Sequence, residues 1–302
     1  MITTKECKKN NQLFWETQED SVYCKYKTEN IDPEIRSLHC HDGYEILMIE
    51  QGNIGMQIED DYFEFSAGDI LLIPPYVFHF ARQQNSNRYQ RVVINFKESA
   101  ISSLISKDSA YKYFTDVFYK VSDCMIHVDE QTLNQLILTS AQLEKAIDDT
   151  TGSFGNDILL TSLLSIILIL LNRKSAESQI TSGTIASSQG LPAVIKSVFQ
   201  YVEDNLSSKI TITDIADTVH LNSVYLTRLF HQYTGLSIQQ YIIEKRLSEA
   251  KRLLKNGQSP TDVCYECGFN NYSNFSRTFS KHVKVSPRQF QDNSRAYFET
   301  IY

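Results

Sequence analysis

The last hundred residues of this chain repeat themselves, and that repeat restricts the fold more than any other feature. Asp214-Ile215-Ala216 is followed by Leu221, Asn222, Leu226, Arg228 and Phe230. The same residue types return as Asp262-Val263-Cys264, then Phe269, Asn270, Phe275, Arg277 and Phe279. The offset is 48 residues and becomes 49 after one inserted residue. Two copies of one supersecondary unit are the simplest reading, since a short unit buries its apolar face only against neighbours.

Each copy predicts a helix, a tight turn and a helix. Thr211 is placed to cap the first, with Asp214 three residues on as in a capping box. Ile212, Ile215, Ala216 and Val219 form its apolar stripe. Asn222 caps the next helix, which turns Leu226, Leu229, Phe230 and Tyr233 inward and stops at Gly235. In the second copy Gly268 sits where the turn needs positive φ. Asn270 or Asn271 caps a helix with Phe275, Phe279 and His282 inside, and Ser286-Pro287 breaks it. Between the copies, residues 237–256 read as one long amphipathic helix ended by Gly257.

Helix, short turn and helix is the helix-turn-helix geometry, whose second helix enters the major groove of DNA. The first such helix would expose Ser223, Val224, Thr227, Arg228 and His231. The second would expose Tyr272, Ser273, Ser276, Arg277 and Ser280. Arginine pairs bidentately with guanine, and valine meets a thymine methyl. A net charge of −7 argues at first against nucleic acid, but residues 191–302 carry +3 and the rest −10. Such asymmetry marks a binding segment. Any solvated helical domain reaches +3, so charge permits DNA binding and the tandem repeat points to it.

Residues 194–292 resemble the DNA-binding domain of the AraC/XylS family, two helix-turn-helix units on a linking helix. The resemblance rests on Tyr225-Leu226, Arg228, Phe230, Gly235, Arg246-Leu247 and Ala250, then Gly268-Phe269, Phe275, Phe279 and Ser286-Pro287. It implies that Val224, Thr227 and Arg228 face bases from one helix, and Tyr272, Ser273, Ser276 and Arg277 from the other. Lys281 and Arg288 would contact phosphates, which position a protein without reading sequence. Two departures stand out. His220 replaces the usual turn glycine, at about 1 kcal/mol of backbone strain. Lys284-Val285 precedes Ser286-Pro287 where the family usually has a glycine.

The first hundred residues read as β. Runs at 21–26, 44–50, 55–58, 62–66, 70–73, 77–82 and 90–96 are rich in Ile, Val, Phe and Tyr. Gly52, Asp60-Asp61, Gly68 and Pro74-Pro75 punctuate them, which suggests a sandwich or barrel. From about Ser99 the spacing turns helical, with Leu133, Leu136, Ile137, Ser140 and Leu143, then a second helix over 156–171. Residues 174–190 have a Ser/Thr-rich linker composition. The expected organisation is a sensing barrel at 1–98, a helical dimerisation and coupling segment at 99–173, a linker at 174–190 and a DNA-binding domain at 191–302.

His39-x-His41 is followed by Glu45 and Gly52; downstream come Gly68, Pro74 and His79. This pattern, over residues 20–96, resembles the two cupin motifs, with Tyr76 for the usual glycine and Gln83 for the usual asparagine. The resemblance implies a small barrel of the kind that commonly precedes AraC-type DNA-binding domains. His39 and His41 share one strand face, and Glu45 joins it only if Asp42-Gly43 resets the register. Three imidazoles and a carboxylate suit Zn, Fe, Mn or Ni. The competing reading makes His39, His41, Glu45, Tyr76 and His79 the polar wall of an effector pocket without a metal. Trp15, Tyr26, Tyr44, Tyr76, Phe78 and Phe80 are core residues or a stacking surface for a sugar ring.

The apolar run 158–171 is 14 residues, short of the ~20 a membrane span needs. It is expected to pack on the barrel or to pair with a second copy. Cys264-x-x-Cys267 lacks a second pair and lies in a scaffold helix, so it reads as two small buried thiols. No catalytic triad, phosphate loop or dinucleotide fingerprint occurs, and residues 1–13 carry no secretory signature.

The expectation is an α+β, cytoplasmic, sequence-specific transcription regulator, an activator answering a small polar effector. A sugar is the effector class the resemblance implies. Its partners would be double-stranded promoter DNA, RNA polymerase and a second copy of itself, with no membrane. No cofactor is required and no enzymatic activity expected; a divalent metal at the histidines is the alternative. Two other readings stay open: a ligand-independent regulator whose barrel only dimerises, and a cupin metalloenzyme with an accessory helical domain.

Overall fold

A computed structural model describes residues 14–15, 22–28, 38–59, 61–82, 89–97, 99–102, 114–120, 125–177 and 191–299. Residues 1–13, Cys7 among them, Asp60, Gln83, Cys124, the ring of Trp15 and positions 178–190 of the expected linker lie outside the described residues. The chain divides into two compact units, Met1–Gly190 and Leu191–Tyr302.

Among its described residues the first unit holds ten strands: β1 Phe14–Trp15, β2 Val22–Lys27, β3 Cys40–His41, β4 Tyr44–Gln51, β5 Ile54–Ile58, β6 Asp61–Phe65, β7 Asp69–Ile73, β8 His79–Arg82, β9 Gln90–Phe96 and β10 Met125–His127. One antiparallel sheet runs β10-β7-β4-β9-β2 and a second runs β6-β5-β8; β1 and β3 form a short parallel pair. The side-chain period of two divides β4 between two cores. Leu47 and Ile49 join Leu71 and Val93 against Ile54, Met56, Ile58, Phe63 and Phe65 of the smaller sheet. Ile46 and Met48 face the other way, toward helices. Burial on both faces explains why this strand is an unbroken apolar run.

Those helices are α1 Ser99–Ser102, α2 Val117–Lys120, α3 Glu130–Asp148 and α4 Asn156–Glu177. Asp129 caps α3 by accepting from Thr132 N at 2.8 Å. Leu133, Leu136 and Leu143 of α3 and Leu163, Leu164, Ile167, Leu168 and Leu171 of α4 share one core with Ile46, Met48, Ile70 and Ile94. The helical segment is therefore not a layer apart from the barrel. It completes the barrel's outer core and contributes β10, which pairs with β7. The helix expected over 156–171 runs on to Glu177, four residues into the expected linker, where Lys174 pairs with Asp129 at 3.1 Å and with Glu177 at 3.2 Å.

The second unit is all helical: α5 Ala193–Asp204, α6 Ile212–Thr218, α7 Ser223–Thr234, α8 Ile238–Lys255, α9 Pro260–Glu266, α10 Tyr272–Val283 and α11 Pro287–Glu299. The sequence repeat returns in the hydrogen bonds. Leu221 N donates to Ala216 O at 2.9 Å, and Phe269 N to Cys264 O at 3.0 Å. Thr211 forms its capping box with Asp214. Asn222 caps α7, and Asn271 rather than Asn270 caps α10. His220 and Gly268 occupy equivalent turns with φ of 53° and 74°. Gly235 and Lys284 end α7 and α10 with φ of 73° and 64°. Both glycine replacements noted in the sequence thus hold a left-handed backbone. Cys264 fills the buried place of Ala216, and Cys267 is buried beside it, both as free thiols. The architecture as a whole is α+β.

Candidate DNA-reading faces and effector pocket

On α7, Leu226, Phe230 and Thr234 recur every four residues and are buried, which turns the opposite face outward. Val224, Arg228 and His231 are exposed there, Val224 by 69%. Ser223 and Thr227 are half-buried, and the Thr227 hydroxyl donates to Ser223 O at 2.8 Å. That spends the hydroxyl proton on the backbone of the same helix. On α10, Phe275 and Phe279 are the buried anchors, and Tyr272, Ser273, Arg277 and Lys281 are exposed. Ser276 and Ser280 are half-buried. Neither Arg228 nor Arg277 meets a carboxylate among the described residues. Arg288 has only a loose, exposed contact, Nε to Asp292 Oδ2 at 3.8 Å.

One residue on this surface escaped sequence reasoning. Tyr225 is 53% exposed between Val224 and Arg228. It lies off the apolar stripe of α7, and that alone was the available signal. An aromatic residue outside the stripe has no core to fill.

In the barrel, three side chains converge. His41 ends β3, Glu45 is the second residue of β4 and His79 opens β8. The bend at Asp42-Gly43 supplies the register reset that Glu45 needs. It is tight enough that a Cβ on Gly43 would sit 2.8 Å from Phe96 O. His41 Nε2 lies 2.7 Å from Glu45 Oε2, and His79 Nε2 lies 3.3 Å from the same oxygen. The other ring nitrogens are tied to carbonyls: His41 Nδ1 donates to Gly43 O at 2.8 Å, and His79 Nδ1 to Val77 O at 2.9 Å. Carbonyls only accept, so both Nδ1 atoms carry the proton and both Nε2 atoms face Glu45.

Burial works against charge on Glu45, but the hydrogen bond with His41 and the neighbouring His79 ring outweigh it and hold the carboxyl well below its ordinary value. For His41, burial likewise opposes the charged ring, and the bond to Glu45 more than compensates, raising its pKa. His79 Nε2 is buried without a hydrogen-bond partner, as is Oδ1 of Asn95, the cross-strand neighbour of Glu45.

His39 stands outside this group. It exchanges backbone hydrogen bonds with His79 at 3.1 and 2.9 Å, which sets its ring beside that of His79, 4.4 Å between centroids. Its ring lies 6.4 Å from that of His41. The ligand atoms within 4.8 Å of one another belong to His41, Glu45 and His79 alone among the described residues. The expected quartet is thus a triad. Two imidazole nitrogens, each oriented by a carbonyl behind it, and one carboxylate form a donor set suited to a divalent transition metal. Tyr76 lies next to the cluster, its N–H donating to His41 O at 2.8 Å, with φ of 70°. That backbone is why the position ordinarily takes glycine.

The expected stacking residues divide. Tyr44 faces the helices, stacked on Phe96 at 5.1 Å, and so lies outside the barrel interior. Phe78 and Phe80 are buried, while Tyr26 is exposed and bonds Glu50. Elsewhere, α4 leaves Ile158, Leu159, Ile166 and Ile169 exposed opposite its buried face. It is long and apolar enough to cross a membrane, yet its leucine face fills the core of this unit.

Comparison with known proteins follows the same division. Residues 27–165 match the AraC-like ligand binding domain, and residues 215–293 match a helix-turn-helix domain. The chain is 24% identical over 264 residues to the HTH-type transcriptional activator RhaS of Enterobacter sp. strain 638, covering 85% of this chain and 88% of that one. It is 24% identical over 251 residues to the Msm operon regulatory protein of Streptococcus mutans, covering 83% and 84%.

Proposed function

Since the chain belongs to the AraC family of transcription regulators, with that family's ligand-binding and helix-turn-helix domains, we propose that α7 and α10 read successive major grooves of one promoter site. Arg228 and Arg277 read guanine edges, Val224 and the Thr227 methyl read thymine, and Ser273 and Ser276 contribute hydrogen bonds. Tyr225 and Tyr272 lie beside them, and Lys281 and Arg288 neutralise phosphates. The observation that carries this reading is the repeat itself: two equivalent faces, each with one exposed arginine that meets no carboxylate among the described residues.

The barrel end at His41, Glu45 and His79 is the effector site. Two buried acceptors there, His79 Nε2 and Asn95 Oδ1, lack a hydrogen-bond partner, and the Glu45 carboxylate lies beside His79 Nε2. Such a wall selects a ligand rich in donors, and a polyhydroxyl compound such as a sugar is the first choice. The orphaned His79 nitrogen also favours a second reading, a divalent cation held by the same three residues, whose chemistry would be to bind and report rather than to turn over. We assign no reaction to the cluster. The exposed stripe of α4 pairs two copies, and the regulator acts in the cytoplasm, as an activator that recruits RNA polymerase.

Selection from a pool of random duplexes tests the central claim. Wild-type protein should enrich one bipartite sequence, and Arg277→Ala should lose about 1–3 kcal/mol on it and relax one position. Enrichment of no sequence, or identical enrichment by both proteins, would overturn the assignment.

A further inference from the structure

We infer that Arg246 is a positioning residue that holds the two DNA-reading units in register with each other. The inference rests on the reading of α7 and α10 as the DNA-reading helices. Arg246 lies midway along α8, the helix that joins the two units. It is half-buried, yet its guanidinium meets no carboxylate among the described residues. Its donors go instead to two main-chain carbonyls just past the end of α5: Nε to Leu206 O at 3.2 Å and Nη2 to Ser208 O at 2.6 Å. The guanidinium also lies over the ring of Phe269, 5.9 Å from its centroid.

Each contact leads to a different recognition helix. Phe199 of α5 packs edge-on against Phe230 of α7, 5.7 Å between centroids. Phe269 packs against Phe275 of α10, 5.0 Å between centroids. The turn before Phe269 closes the same junction. A Cβ on Gly268 would lie 2.3 Å from Leu206 O and 2.8 Å from Arg246 Nη2. The neighbouring Lys245 also ties α5 to α8, through Glu203 at 3.0 Å. Arg246 differs in touching at once the segment that leads into the first unit and the turn of the second. A planar fork satisfies two carbonyls while presenting a flat face to an aromatic ring, and an ammonium cannot do both.

Register matters because the two reading helices must meet grooves about 34 Å apart on one face of the duplex. Binding of the second helix is an intramolecular event whose gain depends on geometry. Loosening the junction leaves each helix able to read its own groove and removes the advantage of reading both.

The test uses the full chain and a duplex selected by the wild type. Three forms of that duplex are compared: intact, with two base pairs inserted between its halves, and with one half scrambled. Wild-type protein should bind the intact form at least about tenfold more tightly than either altered form. Arg246→Lys should bind the scrambled form as wild type does, lose most of the tenfold gain on the intact form, and discriminate little against the insertion. Arg246→Gln should behave alike, and the Tm of both variants is measured alongside. Wild-type spacing preference in Arg246→Lys would overturn the inference while sparing the DNA-reading assignment. Equal losses on all three duplexes with a lowered Tm would overturn it too, as general destabilisation. A wild type that selects no duplex removes both.

Discussion

Four residues other than glycine hold a left-handed backbone among those described: Glu59, Tyr76, His220 and Lys284. Each costs about 1 kcal/mol relative to a glycine free of that strain. The two helix-turn-helix turns turn this into a paired experiment. Gly268→Ala should destabilise by more than about 1 kcal/mol, because positive φ is compounded by the approach of Leu206 O. His220→Gly should be nearly neutral, since strain relief of about 1 kcal/mol is offset by roughly 0.4–1 kcal/mol of added freedom in the unfolded chain. Urea unfolding of both variants checks this, and a large loss at His220 would show that the turns are not equivalent. The triad in the barrel gives a pH dependence whose sign follows from its shifts. His41 is raised from 6.5, so its contribution is full below that value and is lost as pH rises through the raised pKa. Glu45 is lowered from 4.5, so its contribution is present above that value and is lost as pH falls. The Tm difference between wild type and Glu45→Gln should therefore peak between about pH 4.5 and 6.5 and shrink toward pH 9; a constant difference would refute the coupling. The sequence grouped these three residues with His39, and it is His39 that the structure sets apart. The exclusion of His39 follows from a bridge to a strand forty residues away, which no local spacing reveals.

At the level of elements, legibility followed period and punctuation. The seven predicted strands all form, their observed ends within two residues of the expected ones, because alternating Ile, Val, Phe and Tyr end at glycines, prolines or acids. The three-residue β10 was invisible: Met125-Ile126-His127 is too short to show a period, and its partner β7 lies over fifty residues earlier. The end of α4 was misplaced because composition marked where apolar residues cease, whereas the helix continues through Arg173, Lys174 and Ala176, good helix formers held by the ion pairs of Lys174. The same helix supplies a prediction. Ile158, Ser162, Ile166 and Ile169 recur at helical spacing, with Ile158 67% exposed, so the stripe is apolar on either side of one small residue. Two antiparallel copies crossing at Ser162 would set Ile158 of each against Ile166 of the other, an isologous contact. Ile166→Asp should convert a dimer to a monomer in sedimentation velocity while each protomer keeps its helical signal. A wild type that sediments as a monomer at tens of micromolar would sink the pairing.

For the whole molecule, the division of charge and of core predicts how its two halves respond to ligands. The helix-turn-helix unit carries +3 and the remainder −10, and each has its own buried apolar cluster. Two independent cores call for two unfolding transitions rather than one. A ligand stabilises only the state it binds, by about 2.7 kcal/mol at a hundred times its Kd. A sugar or a divalent cation bound at His41, Glu45 and His79 should therefore raise the transition of the barrel, and a selected duplex should raise that of the helical unit. A cation response abolished by His79→Ala and by a chelator would identify the metal reading; a sugar response indifferent to chelator would identify the polyhydroxyl one. Regulation makes a further demand, because an effector that changes DNA affinity must by linkage have its own affinity changed by DNA to the same degree. Adding the selected duplex should then shift the effector concentration that half-saturates the barrel transition. If duplex and effector each raise their own transition and that concentration stays fixed, the barrel binds its ligand without governing DNA. The ligand-independent regulator, whose barrel serves only to pair two copies, would then be the better account of the same fold.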